Sequence, residues 1–398
     1  MKKCILMLSI VSLFSLGSYQ RNVVWEKPLS LWEDNIRKAP FKARALNGLG
    51  LAYSDNGLND KAIETFGRAI KEDPNHIKAY NNLGITYSKK GMYEKSIGEF
   101  KRALQISPGY AKAHNNLGNI YNAMKKYDQA IEKYKLCIKA NPSYIQAYNN
   151  LGVAYSNKGM YDDAIRQYKK VLQLDPGYAE AYNNLGAAYY DSAQHDKAIT
   201  TLNKALELEP QMAEAYNNLG NVYKSKGMYE EAIKVLEKSL EINPNFDKAL
   251  ISLGNLYKEQ KLNKQAIKYY KKVIEAGTKN PSVYHNLGTV YNKEGLFKEA
   301  IEAYQKALSL KPDFSRSHNN LGIAYDSLGK SNEALKELEE AIRIDPSYFN
   351  AHLNLGILYA KKIKNVTKAR VHLKKALTLE PDHPKADKIR QLLKQLEK

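Results

Sequence analysis

A Leu-Gly pair returns every 34 residues: Leu49-Gly50, Leu83-Gly84, Leu117-Gly118, Leu151-Gly152, Leu185-Gly186, Leu219-Gly220, Leu253-Gly254, Leu287-Gly288, Leu321-Gly322 and Leu355-Gly356. Ten copies in step occupy residues 43–383 of a 398-residue chain. A period of this length means one supersecondary unit stacked on itself, because a single unit cannot bury its own apolar face. One residue is inserted in the last copy, near Lys362–Lys364.

Each copy reads as two helices. A Tyr stands four residues after the Leu in all ten copies, from Tyr53 and Tyr87 to Tyr359, so Leu and Tyr share one helical face. A Gly follows in six copies (Gly57, Gly91, Gly159, Gly227, Gly295, Gly329) and suits a left-handed helix cap. A second amphipathic stretch comes next. Its small residue (Ala62, Ala130, Ala164, Ala198, Ala232) lets the two helices approach closely, and a Pro such as Pro108, Pro142 or Pro176 stops it. The same registers account for a lopsided aromatic content of 30 Tyr against 8 Phe and 2 Trp, since 27 of the Tyr fall in five of them. Packing between helices therefore explains the tyrosines better than base stacking does.

This pattern resembles the tetratricopeptide repeat (TPR) family, whose period is also 34. The resemblance implies an all-α fold: an α-solenoid in which about ten helical hairpins form a right-handed superhelix with a concave groove and terminal capping helices. At the N-terminal side, Pro28 to Pro40 aligns with the second helix of a repeat, with Trp32 in the place of the packing aromatic, so 19–42 reads as a linker and a half-repeat cap. At the far end, 384–398 places Ile389, Leu392, Leu393 and Leu396 on one face of a capping helix.

Residues 1–18 carry Lys2 and Lys3 ahead of an apolar run from Cys4 to Leu16. That is short for a bilayer span and reads as a signal peptide or a retained anchor, either of which places the array on an exported or membrane-anchored, extracytoplasmic face. Tyr19-Gln20-Arg21-Asn22, Trp25, Pro28, Leu31-Trp32 and Lys38-Ala39-Pro40 resemble the junction in multispan membrane glycosyltransferases that run into an extracytoplasmic TPR array. That resemblance implies an alternative role, as the substrate-recognition part of a protein glycosyltransferase system whose catalytic part lies elsewhere.

Catalytic chemistry has little to stand on. The eight His lie in different repeats without paired metal spacing, and three of them (His114, His318, His352) share one register. Cys137 occupies a small-residue packing position, and no phosphate-binding Gly loop or Gly-x-Ser-x-Gly motif occurs. No catalytic residue, metal or cofactor is expected, and the chain reads as a non-enzyme.

One feature exceeds what packing needs. Asn82, Asn116, Asn150, Asn184, Asn218, Asn286, Asn320 and Asn354 each stand immediately before a Leu-Gly pair, with Gly48 and Ser252 as the exceptions. A further Asn precedes that site in seven copies (Asn47, Asn81, Asn115, Asn149, Asn183, Asn217, Asn319). Set against Ala, fifteen helical Asn cost roughly 9 kcal/mol in propensity, so something offsets them. The row resembles the asparagine ladder of the O-linked N-acetylglucosamine transferase family, which implies that these carboxamides hold the backbone of an extended peptide in the groove. The other reading is that they bond between adjacent repeats. The family's carboxylate clamp needs Lys and Arg where this chain has Asn.

The net charge is +19, with much Lys on second helices (Lys133, Lys135, Lys169, Lys170, Lys268, Lys271, Lys272). It reads as a solvated convex face, or as attraction to acidic partners or an anionic membrane surface; no groove-reading motif points to specific nucleic acid. The seventh copy departs most, with Ile251-Ser252 for Asn-Asn, Lys261 for Gly and Thr278 for Pro, which predicts a softer joint over 250–281 that divides the groove. The sequence therefore predicts a non-catalytic scaffold that binds extended peptides.

Overall fold

The computed structural model describes residues 28–38 and 41–397. The segment 1–27, on which the expected leader or anchor and most of the expected junction resemblance rest, and residues 39–40 lie outside the described residues. Among those residues the chain is all-helical, and no helix is long and apolar enough to cross a membrane. It packs as two units, the first ending at Thr201 and the second starting at Leu202.

The first unit opens with α1 (Pro28–Lys38). The hairpins α2/α3 (Ala43–Asp55, Asn59–Glu72), α4/α5 (Ile77–Lys89, Tyr93–Ile106), α6/α7 (Ala111–Ala123, Tyr127–Ala140) and α8/α9 (Ile145–Asn157, Tyr161–Leu174) follow, then α10 (Ala179–Asp191). The boundary falls within α11 (His195–Leu208). The second unit continues with α12/α13 (Ala213–Ser225, Tyr229–Ile242), α14/α15 (Asp247–Glu259, Asn263–Glu275), α16/α17 (Pro281–Lys293, Phe297–Leu310) and α18/α19 (Ser315–Ser327, Ser331–Ile344). It ends with α20 (Phe349–Leu358), α21 (Val366–Leu379) and α22 (Ala386–Gln395).

The Leu-Gly pair is where the two helices of a hairpin meet. A Cβ on Gly152 would sit 2.5 Å from the Tyr168 ring, and one on Gly118 would sit 2.6 Å from Tyr134. Phe66, Phe100, Tyr270, Tyr304 and Leu236 fill the same place against Gly50, Gly84, Gly254, Gly288 and Gly220. Ala62, Ala130, Ala164 and Ala232 are wholly buried beside them. Trp32 of α1 packs in the same manner on Gly48. At the other end α22 lays Ile389 against Phe349, Leu353 and Leu373.

Each hairpin turn closes on the carbonyl of its repeat Tyr: Met92 N–H donates to Tyr87 O at 2.9 Å, and Met160 N–H to Tyr155 O at 2.9 Å. This six-residue closure needs a left-handed residue, and all six turn glycines have φ between 72° and 79°. Lys125, Ala193 and Lys261 adopt the same conformation with φ of 58–61°. A side chain there costs about 1–2 kcal/mol, of which glycine's greater unfolded-state freedom takes back about 0.5–1 kcal/mol. Ala193→Gly and Lys125→Gly are each expected to raise stability by about 0.5–1 kcal/mol, read from urea midpoints.

The residue inserted in the last copy is absorbed as a π turn, Tyr359–Ile363, closed by a left-handed Lys364 (φ 61°) before Asn365 caps α21. Segment 250–281 does not divide the packing. The apolar core of the second unit passes through Leu250, Leu253, Val273, Val283 and Leu287 without a break. Ser252 substitutes for the missing carboxamide, and Asn280 caps α16 with Pro281 in its first turn, so the helix restarts firmly after the irregular loop.

Candidate peptide-binding face

Within each unit the first helices of successive hairpins pack against one another, as α4 does on α2 and α20 on α18, whereas no such row joins the second helices. The face built from first helices is therefore the tighter, inner one. The register before Leu-Gly lies along it.

The doubled asparagines divide the work. The first of each pair is buried: Asn81, Asn115, Asn149 and Asn217 are 3–5% exposed. The second is half-buried. The second donates across to the first of the preceding repeat: Asn82 Nδ2 to Asn47 Oδ1 at 2.9 Å, Asn116 to Asn81 at 3.0 Å, Asn150 to Asn115 at 3.1 Å, Asn184 to Asn149 at 3.1 Å, and Asn354 to Asn319 at 2.9 Å. Ser252 does so through its hydroxyl, to Asn217 at 3.2 Å. These bonds satisfy a buried carbonyl that would otherwise cost about 1–3 kcal/mol, which offsets the propensity loss. They also fix each outer carboxamide in one orientation.

A second tier lies one turn further on. Tyr134, wholly buried on α7, donates to Asn119 Oδ1 at 2.7 Å, and Asn150 Nδ2 reaches the same oxygen at 3.1 Å. Tyr270, Asn255 and Asn286 repeat the arrangement at 2.7 and 3.0 Å. Burial pushes the Tyr134 and Tyr270 hydroxyls well above the usual phenol range, so both stay donors. Asn119 and Asn255 were not singled out from the sequence. Their signal was an Asn two residues after Leu117 and two after Leu253 in repeats whose second helix carries Tyr134 and Tyr270; the Tyr168 and Tyr304 repeats have Val153 and Thr289 there.

The row is not uniform. His285 stands where a buried Asn would be, and its Nδ1 lies 2.8 Å from Ser317 Oγ. Asn320 accepts from Asn319 at 2.9 Å, a tighter form of the contacts that Asn82 and Asn184 accept from Asn81 and Asn183 at 3.5 and 3.4 Å. Asn286 accepts from Lys258 Nζ at 2.9 Å. Asn218 is half-buried in the same register of α12.

The shared histidine register has a structural task. The Nε2 atoms of His114, His318 and His352 lie 2.9, 3.0 and 3.1 Å from the carbonyls of Pro108, Pro312 and Pro346, where Tyr148 bonds to Pro142 at 3.2 Å. Cys137 is fully buried and its thiol is pushed up to about 11 by burial, which fits a packing residue and not a nucleophile. Among the described residues no cluster of three His, Cys, Asp or Glu could hold a metal. Several lysines of the second helices lie over the repeat tyrosines: Lys135 over Tyr155 at 5.8 Å, and Lys169 and Lys197 over Tyr189 at 5.9 and 5.7 Å.

Sequence profiles described as tetratricopeptide repeat match residues 76–143, 109–177, 143–211, 178–245, 211–279, 245–313 and 280–347, and again 319–384. A TPR repeat profile matches 50–91. No curated protein matches the chain. Among solved structures, YrrB, described as a TPR protein with an unusual peptide-binding site, is 29% identical, with 48% of this chain and 97% of that one covered at a TM-score of 0.42. MamA is 30% identical over 42% of this chain and 97% of its own, with a TM-score of 0.39. The APC/C hetero-tetramer Cut9-Hcn1 is 14% identical over 97% and 96%, with a TM-score of 0.45.

Proposed function

The chain belongs to the tetratricopeptide repeat family, and from that premise we propose a non-catalytic scaffold that holds extended peptide segments on the inner face of its first helices. The observation that carries this reading is the fixed row of outer carboxamides. Each of Asn82, Asn116, Asn150 and Asn184 is held from one side by an N–H bond to the preceding repeat. A carboxamide has two N–H donors and an oxygen with two lone pairs, so even where Asn81 and Asn183 donate to the Asn82 and Asn184 oxygens at 3.5 and 3.4 Å, a lone pair remains on every rung. Fixing the side chain beforehand removes part of the ordering cost of binding. Peptide backbone N–H groups match such oxygens whatever the side chains, as in strand-like recognition.

Packed helices lie about 9 Å apart and an extended peptide advances about 3.3 Å per residue, so one rung serves roughly three residues. The four rungs of the first unit then need a peptide of about nine residues. Neutral, unstructured peptides of graded length are expected to gain affinity up to that length and then level off. The double variant Asn116→Ala/Asn150→Ala should weaken the nine-residue peptide about tenfold, with helicity unchanged by circular dichroism. Equal affinity for wild type and variant would assign the row to stability alone. Export or membrane anchoring of this scaffold rests on residues 1–18 and is proposed with it.

A further inference from the structure

The last repeat carries a different kind of site. Between α20 with its π turn and the capping helix α22 lies a cavity of about 400 Å³. Leu353, Ile357, Ile389 and Leu392 form its apolar floor, and Lys361, Lys385 and Lys388 stand around it. No carboxylate lines it.

What sets the place apart is three lysines gathered around one apolar hollow without an acid among them. Other lysines reach acids on a neighbouring repeat: Lys158 pairs with Asp128 at 2.5 Å, Lys224 with Glu259 at 2.7 Å and Lys248 with Glu214 at 2.7 Å. The acids of the C-terminal segment are taken by arginines, Asp387 of the capping helix by Arg390 at 2.7 Å and Glu397 beyond it by Arg370 at 3.0 Å. Among the described residues, Lys361, Lys385 and Lys388 have no carboxylate within ion-pair distance. Three like charges around an apolar hollow repel one another, and a ligand that brings negative charge relieves that repulsion.

We infer that this cleft binds an acidic peptide segment, seating one apolar side chain on Ile357 and Leu392 while flanking carboxylates meet Lys361, Lys385 and Lys388. The chemistry excludes the chain's own first residues as occupant, since Lys2 and Lys3 repeat the sign of the cleft. A half-open hollow with an apolar floor suits one inserted side chain better than the flat surface of a bilayer. Asn354, the last of the asparagine row, lines the cleft as well, but no residue of the first unit does.

The test is fluorescence anisotropy of the full chain with a labelled Glu-Asp-Leu-Glu-Asp peptide. It is compared with the Gln-Asn-Leu-Gln-Asn and Glu-Asp-Ser-Glu-Asp forms. The expected result is binding of the first peptide alone, weakened at least about tenfold by Lys361→Glu/Lys388→Glu and by raising the salt from about 0.05 to 0.5 M. Ile357→Asp should abolish it, while Asn116→Ala/Asn150→Ala should leave it unchanged, which separates this site from the proposed backbone-reading face. Equal binding of the acidic and amide peptides, or an acidic peptide insensitive to the Lys substitutions, overturns the inference. So does binding to phosphatidylserine vesicles that the lysine variant loses while the peptide binds neither protein.

Discussion

Gly152→Val is expected to destabilise the first unit by about 3 kcal/mol, the upper end of what overpacking a core costs. The added Cβ would lie 2.5 Å from the Tyr168 ring, and two methyl groups would follow it. Tyr168 cannot retreat: it is 2% exposed, and Ala164 and Val171 beside it are wholly buried. Its hydroxyl, pushed up to about 12 by burial, also holds Ser156 at 3.4 Å. The helices must therefore separate, which disrupts packing on both neighbouring hairpins in a stack stabilised by nearest-neighbour contacts. The control is Gly98→Ala on the second helix α5, where an added Cβ meets nothing within 4 Å. That substitution is expected to stabilise by about 0.5–1 kcal/mol through helix propensity. Urea midpoints of the two variants should move in opposite directions.

The second large effect is acid sensitivity of the second unit through His285. Burial, then Lys258 and Arg316, lower its pKa from 6.5 to about 4. The ring packs 4.9 Å from Phe314 and 5.7 Å from Tyr304, with Ser317 on its Nδ1. Between pH 6.5 and 4 the unfolded chain takes up a proton that the folded chain refuses. This contribution to stability is therefore complete above pH 6.5 and is lost as pH falls towards 4, on the order of 3 kcal/mol in all. His352 and His372, whose Nδ1 atoms lie 3.1 Å apart, are lowered as well, first by burial, and act in the same direction.

His318 opposes them. Burial is its largest single influence and disfavours the charge, but the Glu337 carboxylate at 2.6 Å and the Pro312 carbonyl outweigh it and raise the pKa. Its contribution is present below pH 6.5 and is lost as pH rises through the folded value. Asn in place of His285 would restore the buried carboxamide found in other repeats. His285→Asn is expected to flatten the fall in stability between pH 6.5 and 4. An unchanged slope would place the acid sensitivity elsewhere.

The architecture was legible because its determinants are local. The Leu-Gly-x-x-Tyr spacing, the turn glycines and the terminating prolines each act within one hairpin, so a single sequence displays the first ten times over and the turn glycine six times. Even Trp32 announced its packing role through its register. Less was legible where partners come from another repeat. The doubled asparagines were visible, but which of the two is buried and which is outward depends on a 35-residue contact. Lys125 and Ala193 gave no sign of left-handed backbone, because the turn closure imposes it against their own preference. At Ile251-Ser252 the sequence did not show that packing would run on unbroken, since there a hydroxyl takes the place of the carboxamide that bonds Asn217. The convex lysines read as a solvated face or as attraction to acidic partners, and neither reading foresaw that Lys135 and Lys169 lie over the repeat tyrosines.

The central claim is that the outer carboxamides, not the buried ones, meet a peptide backbone. Side-chain amide NMR signals of selectively labelled asparagine, followed as a neutral nine-residue peptide is added, test it most directly. The account predicts saturable shifts at Asn82, Asn116, Asn150 and Asn184, lost when the peptide backbone is N-methylated, with Asn47, Asn81 and Asn115 shifting far less. Shifts confined to residues away from this row, or unaffected by N-methylation, would contradict it.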